Sequence, residues 1–374
     1  MTVSTFADAA LGQVREQPVQ LVWYGCDLRT GQIVEELPAL KTPNLSKRLG
    51  SHTSAAFELT LAGAGRDWEA ATDSGRTMLV GVDALTDQPI WAGINLTREG
   101  GSAPTVTLNA ATPEAYLERR YTGNQTLIQQ DQAAVLTSLM TAPLSQGPPF
   151  VMDAPSTGVL MDFTALDSDD KTAGSAMQEV MALQDGPEWT VDVAWSDINR
   201  TGFVLPLRVR PAIGTQTATP EAVFDFPGCI STYALAESYE AGKGATVVQA
   251  RGEGEGDARL SSSAQIATDL EAAGWPRYVY RYTPASGLTD PAQLNAHAAQ
   301  SRAVMKTGAK VWAVEAVASQ APRLGRDWGI GDSVRIVIDS SPRHPLGVEI
   351  VARAWSWELE AATDRVRPIL VQED

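Results

Sequence analysis

Short segments in which apolar and polar residues alternate fill two blocks of the chain, and this arrangement constrains the fold most strongly. The first block runs from Val19 to Ala111 and the second from Ala222 to Val371. A period of two is typical of strands that bury one face, and polar turns separate the segments. About six short strands in the first block predict a closed or nearly closed β-barrel.

The strands of the first block are bounded by recognisable turns. Two strands within Val19–Leu37 flank the turn Arg29–Gly31, and Ala55–Ala62 alternates with its apolar residues on one face. A long hairpin is predicted over Arg76–Gly100, with its turn at residues 86–89, and Thr105–Ala111 is expected beside it.

The pattern changes in the middle of the chain, where apolar residues take helical spacing. A short helix is predicted at Pro113–Gly123, and another at Asp131–Ala142 has an apolar stripe. That stripe consists of Ala134, Leu136, Leu139 and Met140. A third helix, Thr172–Gln184, is stopped by Gly186-Pro187, and strands follow, so the region is predicted to be mixed α/β.

The second block contains an insert with one long helix, Asp290–Lys306. Asp290 is predicted to cap this helix, with Pro291 at its first position. Its inward face is predicted to contain Leu294, Ala298, Ser301 and Met305. Four strands then end the chain, the third of them bent or bulged.

These patterns predict an α+β, mainly β fold with two barrels. The expected divisions are an N-terminal extension (1–18), a first barrel (19–111), an α/β domain (112–211) and a second barrel (212–374) with a helical insert at about 260–309. Segments 76–111 and 331–371 share an order of strand, turn, Trp-bearing strand, turn and strand. Duplication of one barrel would explain this order, although β-meanders also look alike by chance.

Composition limits the classes of function. The 374 residues have room for roughly two to three domains, and 44% are hydrophobic, as in globular proteins. The formal charge of −16 argues against binding of a nucleic-acid backbone. Neither a long apolar run nor a signal-like N-terminus is present, so a soluble protein made in a cytoplasm is expected.

A glycine-rich stretch follows the apolar run Ala245–Ala250 and raises the question of nucleotide binding. Its sequence RGEGEGDAR has the spacing GxGxG, whereas a dinucleotide site needs GxGxxG at the start of a helix. Glu253, Glu255 and Asp257 would also repel phosphates. An acidic surface turn is the better interpretation.

Metal and thiol chemistry have little support in the sequence. His52, His297 and His344 lie in three regions without metal-ligand spacing. Cys26 and Cys229 suggest neither a disulfide scaffold nor a zinc site.

The acidic cluster Asp167, Asp169 and Asp170 precedes a helix and lacks the glycine turn of a calcium loop. Capping of that helix is therefore favoured over calcium binding.

Three glutamates and several tryptophans are the remaining candidates for a site. Glu188, Glu358 and Glu360 stand beside tryptophans, as the carboxylates of a glycosidase can. Alternation places Trp355, Trp357 and Leu359 on one face of a strand and Ser356, Glu358 and Glu360 on the other, which a solvated acidic face explains more simply. Exposed tryptophans bind sugars, but Trp91, Trp312 and Trp355 lie on apolar strand faces that favour core packing. No catalytic, cofactor or metal residue is predicted.

Three stretches give the chain a resemblance to a known family. Ile90–Gly123 has a Trp-x-Gly strand, a second strand and a helix ending in Leu-x-x-Arg. Ala173–Val193 has a helix followed by Glu-Trp-Thr. Thr289–Ile338 has a helix, a strand and Gly-Asp-x-Val. In their order these stretches resemble the tail hub, or baseplate hub, proteins of long-tailed bacteriophages, particularly the minor tail proteins of phages that infect actinobacteria.

The resemblance implies a non-enzymatic virion protein at the tail tip. Such hubs have two barrels related to the tail-tube fold, so that three copies present six barrels to a sixfold tube. Expected partners are two further copies, the distal tail ring, the tape measure and tip or fibre proteins. Membrane insertion by this chain is not expected. Genome DNA would pass through the hub without specific binding. An acidic wall would repel it, and Glu358, Glu360 and the GEGEG loop are candidates for exposed acidic surface.

Two other functions remain open from the sequence. A tail-borne glycan hydrolase would need Glu188 or Glu358 as a catalytic carboxylate with a raised pKa in a cleft. A receptor-binding or carbohydrate-binding module would need exposed tryptophans.

Overall fold

The computed structural model describes residues 17–183, 185–252, 256, 259–284 and 291–371. Most of the predicted N-terminal extension, residues 253–255 and 257 of the acidic turn, and the predicted cap Asp290 lie outside the described residues.

The first sheet has seven strands in the order β2-β1-β6-β7-β8-β5-β3. Its strands are β1 (Leu21–Asp27), β2 (Ile33–Glu36), β3 (Leu40–Lys41), β5 (Ser54–Thr60), β6 (Thr77–Asp83), β7 (Gln88–Glu99) and β8 (Thr105–Ala111). The intervening β4 (Leu45–Arg48) pairs elsewhere, and a short α1 (Trp68–Ala71) precedes β6. Among the described residues no pairing joins β2 to β3, so this sheet is an open half-barrel.

The middle region combines three helices with short strands. It contains β9 (Gln125–Asp131), α2 (Gln132–Leu139), α3 (Thr141–Leu144), β10 (Phe150–Asp153), β11 (Leu160–Ala165), α4 (Ala173–Met181), β12 (Glu188–Val191), β13 (Ala194–Trp195) and β14 (Phe203–Arg210). β14 is its central strand, since β10, β12 and β13 all pair with it, while β9 pairs with β11. The alternating apolar residues of β14 are fully buried, as the period-two pattern predicts.

The second sheet runs β15-β21-β22-β23-β20-β16, and β4 from the first block pairs with β22. Its strands are β15 (Val223–Phe226), β16 (Ile230–Ser238), β20 (Ala309–Val317), β21 (Ser333–Ile338), β22 (Val348–Glu360) and β23 (Arg365–Val371). Between β16 and β20 lies the insert, residues 239–308. It contains β17 (Val247–Ala250), β18 (Gln265–Ile266), α5 (Thr268–Ala272), β19 (Val279–Tyr282) and α6 (Pro291–Met305).

The two sheets share one hydrophobic core. Trp23, Phe57 and Trp91 of the first sheet pack on one another, with ring centroids 5.1 to 6.1 Å apart. They belong to the same buried cluster as Phe224 and Trp357 of the second sheet. The opposite face of β6 is also buried, against the middle region, so every residue of β6 is buried. Burial on both faces fixes the first sheet between the other two parts of the molecule.

The two sheets also share one order of strands. Six strands of the first sheet, counted along the chain, are β1, β3, β5, β6, β7 and β8; those of the second are β15, β16, β20, β21, β22 and β23. In both sheets these run in the spatial order first, fourth, fifth, sixth, third, second. One difference is that β1 pairs with β6 antiparallel whereas β15 pairs with β21 parallel.

A bulge in the fifth strand aligns the two sheets residue by residue. Ile94 is the last residue of β7 to pair with β6 and the first to pair with β8, and a bulge follows at Asn95–Thr97. Arg353 has the same position in β22 between β21 and β23, and its bulge follows at Ala354–Ser356. The predicted bulge of this strand is thereby confirmed, and an equivalent one occurs in β7.

The turn before the fourth strand is repeated as well. Gly75 N donates to Asn95 O over 2.7 Å, and Gly331 N donates to Ala354 O over the same distance. Both glycines have positive φ, +74° and +86°, a conformation that side chains with a Cβ disfavour. Matching backbone bonds at bulge and turn indicate that the two sheets are copies of one structural unit.

Three local predictions in the middle region are wrong. The segment Pro113–Arg119 forms a 3₁₀ turn rather than an α-helix. In α2, Ala134 is exposed and Val135 is buried in its place, because α2 packs against both α4 and the strands β9 and β14. The aspartates do not cap α4; Thr172 does, with its hydroxyl accepting from Ser175 N. A cap must directly precede the first turn, and Lys171 separates the aspartates from it.

Candidate functional site at the junction of the two sheets

The candidate site is the place where both sheets and the middle region meet, and β4 is its centre. β4 pairs antiparallel with β22, with Lys47 opposite Trp357. Ser356 Oγ donates to Lys47 O over 2.8 Å, and Leu49 N donates to Trp355 O over 3.1 Å. The first block of the chain therefore supplies a strand to the second sheet.

A buried ion pair ties the two sheets together beside this junction. Arg323, in the loop between β20 and β21, donates from Nε and Nη2 to both oxygens of Asp83 on β6, over 2.5 and 2.6 Å. Both side chains are 1% exposed. Burial acts to raise the pKa of Asp83, but the hydrogen bonds from Arg323, Leu85 and Thr86 hold it below its usual range. The pair is thus charged on both sides.

A second buried pair joins the second sheet to the middle region, and it involves the predicted candidate Glu188. Arg353 Nη1 donates to Glu188 Oε1 over 2.7 Å, and Nη2 also contacts this carboxylate. Arg353 additionally donates to the carbonyls of Gly331 and Ile213, and Ile213 N donates to Glu188. A carboxylate held by an arginine in this way is a structural partner, so the geometry does not favour a general acid at Glu188.

The third ionic group lines an open cleft of about 750 Å³ at the junction. Lys47 Nζ donates to Asp192 Oδ1 over 2.7 Å and to Val191 O over 2.6 Å, and Arg208 Nε lies 2.5 Å from Asp192 Oδ2. Burial acts to raise the pKa of Asp192, but both cations hold it below its usual range. Because its oxygens already have cationic partners, Asp192 is not a free base.

Glu114 lies next to this cleft and is itself 2% exposed. Val191 N donates to its Oε1 over 3.2 Å, and its Oε2 has no hydrogen-bond partner among the described residues. Burial raises the pKa of this carboxyl, against the attraction of Lys47. A neutral carboxyl needs less solvation than a carboxylate, which is consistent with its apolar position.

The other two candidate glutamates face an arginine across the sheet. Glu358 is directly opposite Arg367 in the pairing of β22 with β23. Arg367 also forms ion pairs with Glu360 and with Glu315 of β20. The glutamates expected on an exposed acidic face are partly exposed, 38% for Glu358 and 26% for Glu360, and the neighbouring strand places a compensating charge between them.

The remaining polar candidates lie apart from the junction. His344 stacks on Trp312 and contacts Tyr233, His297 lies in α6, and His52 precedes β5. Within the described parts of the chain, no group of three or more His, Cys, Asp or Glu residues is arranged to hold a metal ion. Cys26 and Cys229 are both buried and free.

Most tryptophans predicted to be in the core are there. Trp91 and Trp312 are 1% and 2% exposed, whereas Trp355 is only partly buried under the guanidinium of Arg353. Trp275 of the insert is 43% exposed and packs against Tyr239, whose ring also contacts the exposed Tyr278.

Sequence reasoning missed the junction itself. Asp83, Lys47 and Arg323 lie far apart in the chain, and none belongs to a motif. A signal was present in β4, since its sequence Leu-Ser-Lys-Arg alternates and lies within the first block, but nothing in it indicates pairing with the second.

Among helices in the described part of the chain, none is long and apolar enough to cross a membrane.

No known protein family and no curated protein matches this sequence, but solved structures do match its fold. The tail protein of Neisseria meningitidis MC58 is 12% identical, with a TM-score of 0.57 over 96% of this chain and 97% of its own. The 43 kDa tail protein of prophage MuSo2 from Shewanella oneidensis is 10% identical, with a TM-score of 0.59 over 95% and 97%. The prophage tail protein gp18 of Listeria monocytogenes EGD-e is 9% identical, with a TM-score of 0.53 over 94% of both chains. The predicted α+β, mainly β, tail-tube-like fold is thus confirmed and matches that of these tail proteins, but the first barrel, expected to be closed or nearly closed, is an open half-barrel.

Proposed function

We propose that this chain is a structural tail protein of a bacteriophage, and that it forms the hub of the baseplate or tail tip. The supporting observation is the repeated half-barrel, which occurs twice in one chain whose fold matches solved tail proteins over nearly its whole length. Two copies of one unit per chain allow three chains to present six equivalent units. A threefold hub of this kind fits end to end on a sixfold tube.

The proposed domains follow the predicted limits, with one exchange. Residues 19–111 and 212–374 form the two barrels, and residues 112–211 form the domain between them. The exchange is β4, which leaves the first barrel to pair with β22. The three ionic groups at the junction hold these domains in one orientation. A hub that transmits a fixed geometry needs such a fixed arrangement of its domains.

The proposed hub surrounds a channel through which DNA passes without being bound. Three copies carry a formal charge of three times −16, or −48, and net negative charge repels phosphates at long range. In a binding assay with a fluorescent duplex at low salt, the purified protein is expected to show no saturable binding. Tight binding would contradict a DNA-conducting role.

Electron microscopy of tails provides the main test. Gold-labelled antibody against this chain is expected to mark the tail tip, and native mass measurement of isolated tips is expected to give three copies per particle. Label along the tube, or a copy number that is not a multiple of three, would contradict the proposal. Tips that assemble normally without the chain would do so as well.

An enzymatic role has a direct assay. Purified protein and its Glu188→Gln and Glu358→Gln variants are expected to release no sugar from peptidoglycan, since both glutamates have arginine partners. Release by the unmodified chain that the variants lose would favour the hydrolase instead.

Carbohydrate binding is the second candidate, and Trp275 favours it. An indole that is 43% exposed and packs against Tyr239 is the kind of surface on which a sugar ring stacks. On a glycan array, binding that Trp275→Ala abolishes would support this function, and an array without binding would exclude it for the glycans tested.

A further inference from the structure

We infer that the outer edge of β7 at Thr97–Glu99 receives a strand from a second copy of this chain. The donor is the insert of that copy, and its strand is β19. This inference rests on the proposed trimer and specifies which surface closes it.

The repeat of the two sheets identifies the acceptor edge. Beyond the bulge, Thr97–Glu99 of β7 aligns with Ser356–Glu358 of β22. In the second sheet, β23 pairs with one edge of this segment and β4 pairs with the other. In the first sheet, β8 pairs with one edge of Thr97–Glu99, and no strand of the described chain pairs with the opposite edge.

The side chains at the two edges differ in exposure, as expected if β4 covers one edge and no described strand pairs with the other. Where β4 covers the second sheet, Ser356 and Trp357 are 4% and 2% exposed. At the equivalent positions in the first sheet, Thr97 is exposed and Arg98 is half-buried, and Leu96 at the bulge is 42% exposed. An edge with an exposed leucine is a template for pairing with another strand.

The same repeat identifies the donor. β4 lies in the connection between the second and third strands of its unit, β3 and β5. The corresponding connection of the second unit joins β16 to β20, and it is the insert. If the first unit gives a strand to the second unit of its own chain, the second unit gives one to the first unit of the next chain. In the proposed trimer, this head-to-tail rule closes the ring.

The insert offers one suitable strand of four residues, the same length as β4. Its three-stranded sheet has the order β18-β17-β19, so one edge of β19 is unpaired among the described residues. Val279 of β19 is 57% exposed. The charges are complementary, since Arg281 of β19 and Glu99 of β7 are both exposed.

Photo-crosslinking in assembled tails tests the inference. Benzoylphenylalanine replaces Glu99 in one variant and Glu58 in the control, where Glu58 is an exposed residue of β5 in the same sheet. Irradiation of the Glu99 variant is expected to join two copies through peptides that span residues 275–284. The Glu58 variant is expected to give no such product.

Hydrogen exchange of the unmodified protein provides a second measurement that does not depend on a variant. Amides of residues 97–99 and 279–282 are expected to exchange about tenfold or more slowly in assembled tips than in the free chain, as amides do when they enter a strand pair. The amides of the edge strand β2 are the internal reference, and their exchange is expected to be the same in assembled tips and in the free chain.

The outcomes separate this inference from the proposed function. Crosslinks from Glu99 to another protein or to another segment, or unchanged exchange at both strands, would overturn the strand exchange. If tips still contain three copies, the hub proposal stands. If tips lack the chain altogether, the hub proposal is wrong, and the strand exchange that rests on it is wrong as well.

Discussion

The two sheets are built on one plan but are completed in different ways. Both have the same strand order, the same bulge in the fifth strand and the same glycine turn. The second sheet obtains a strand from the first block, β4, whereas no strand of the described chain pairs with the equivalent edge of the first sheet. The difference shows that a repeated unit can be satisfied once within its chain while its second copy keeps an edge available for assembly.

The connection between second and third strands is where the two units diverge most. In the first unit it is 12 residues long, residues 42–53, and contains β4. In the second it is the insert, which has its own small core around Val248, Leu294 and Ala298. A loop tolerates such growth because closing a longer loop costs little additional free energy.

The largest expected effect comes from breaking the buried pair between the sheets. Arg323→Met leaves the Asp83 carboxylate buried without its cation, and the free energy of unfolding should fall by about 3–5 kcal/mol. Urea denaturation measures this loss. Arg326→Met, in a more exposed ion pair with Asp327, should cost less than about 1 kcal/mol.

The double variant Arg323→Met with Asp83→Leu sharpens this result. Because it removes both charges, it should recover a large part of the loss. Equal losses in the single and double variants would show that the loss comes from other contacts of Arg323, such as its hydrogen bond to Gln17 O, and not from the unpaired charge of Asp83.

The next effect compares the covered edge with the open one. Leu45→Ala in β4, where Leu45 is 1% exposed, should lower the free energy of unfolding by about 2–5 kcal/mol because it opens a cavity. Leu96→Ala, at the open edge, should change it by less than about 0.5 kcal/mol in the free chain. Similar losses at both positions would mean that the open edge is covered within the chain.

A smaller effect concerns pH. The pKa of Asp83 is below its usual value, so its contribution to stability is complete above the unfolded pKa of about 3.9 and is lost as the pH falls through the lower folded pKa. Below about pH 4 the unfolding free energy of the unmodified chain should therefore fall more steeply than that of Asp83→Asn.

The smallest effect compares the two cysteines, Cys26 in β1 of the first sheet and Cys229 in the turn between β15 and β16 of the second. Burial raises the pKa of Cys229 to about 12, and burial also raises the pKa of Cys26. Both thiols should remain unmodified by iodoacetamide in the native protein and react in denaturant. Mass spectrometry after a timed reaction measures this, and selective labelling of Cys26 would show that the first sheet opens locally.

The sequence predicted the strands better than the way they combine. The turn at Gly31, the hairpin of β6 and β7, and the bulge in β22 follow from local patterns and appear in the structure. The burial of Val135 was missed because it depends on which neighbours α2 meets. The cap at Thr172 is local, and it was missed because the aspartates lie too far before the first turn of α4.

Glu188, Glu358 and Glu360 show the same limit for the candidate site. Each was correctly identified as a glutamate near a tryptophan, but the arginine that faces it comes from elsewhere in the chain. Arg353 is 165 residues from Glu188, and no local pattern indicates that contact.

By itself the sequence determined a mainly β chain with a helical middle, a strongly acidic charge and two blocks of similar strands. Those properties follow from residue type and periodicity, which act over a few neighbours. The tertiary structure alone decided that β4 pairs with β22, and that two buried ion pairs and a third, partly exposed ionic group lie at the junction. It also decided that no strand of the described chain pairs with the outer edge of β7 at Thr97–Glu99. Pairing between strands depends on which edges meet after the chain has collapsed, and side-chain periodicity encodes the face of a strand but not its partner.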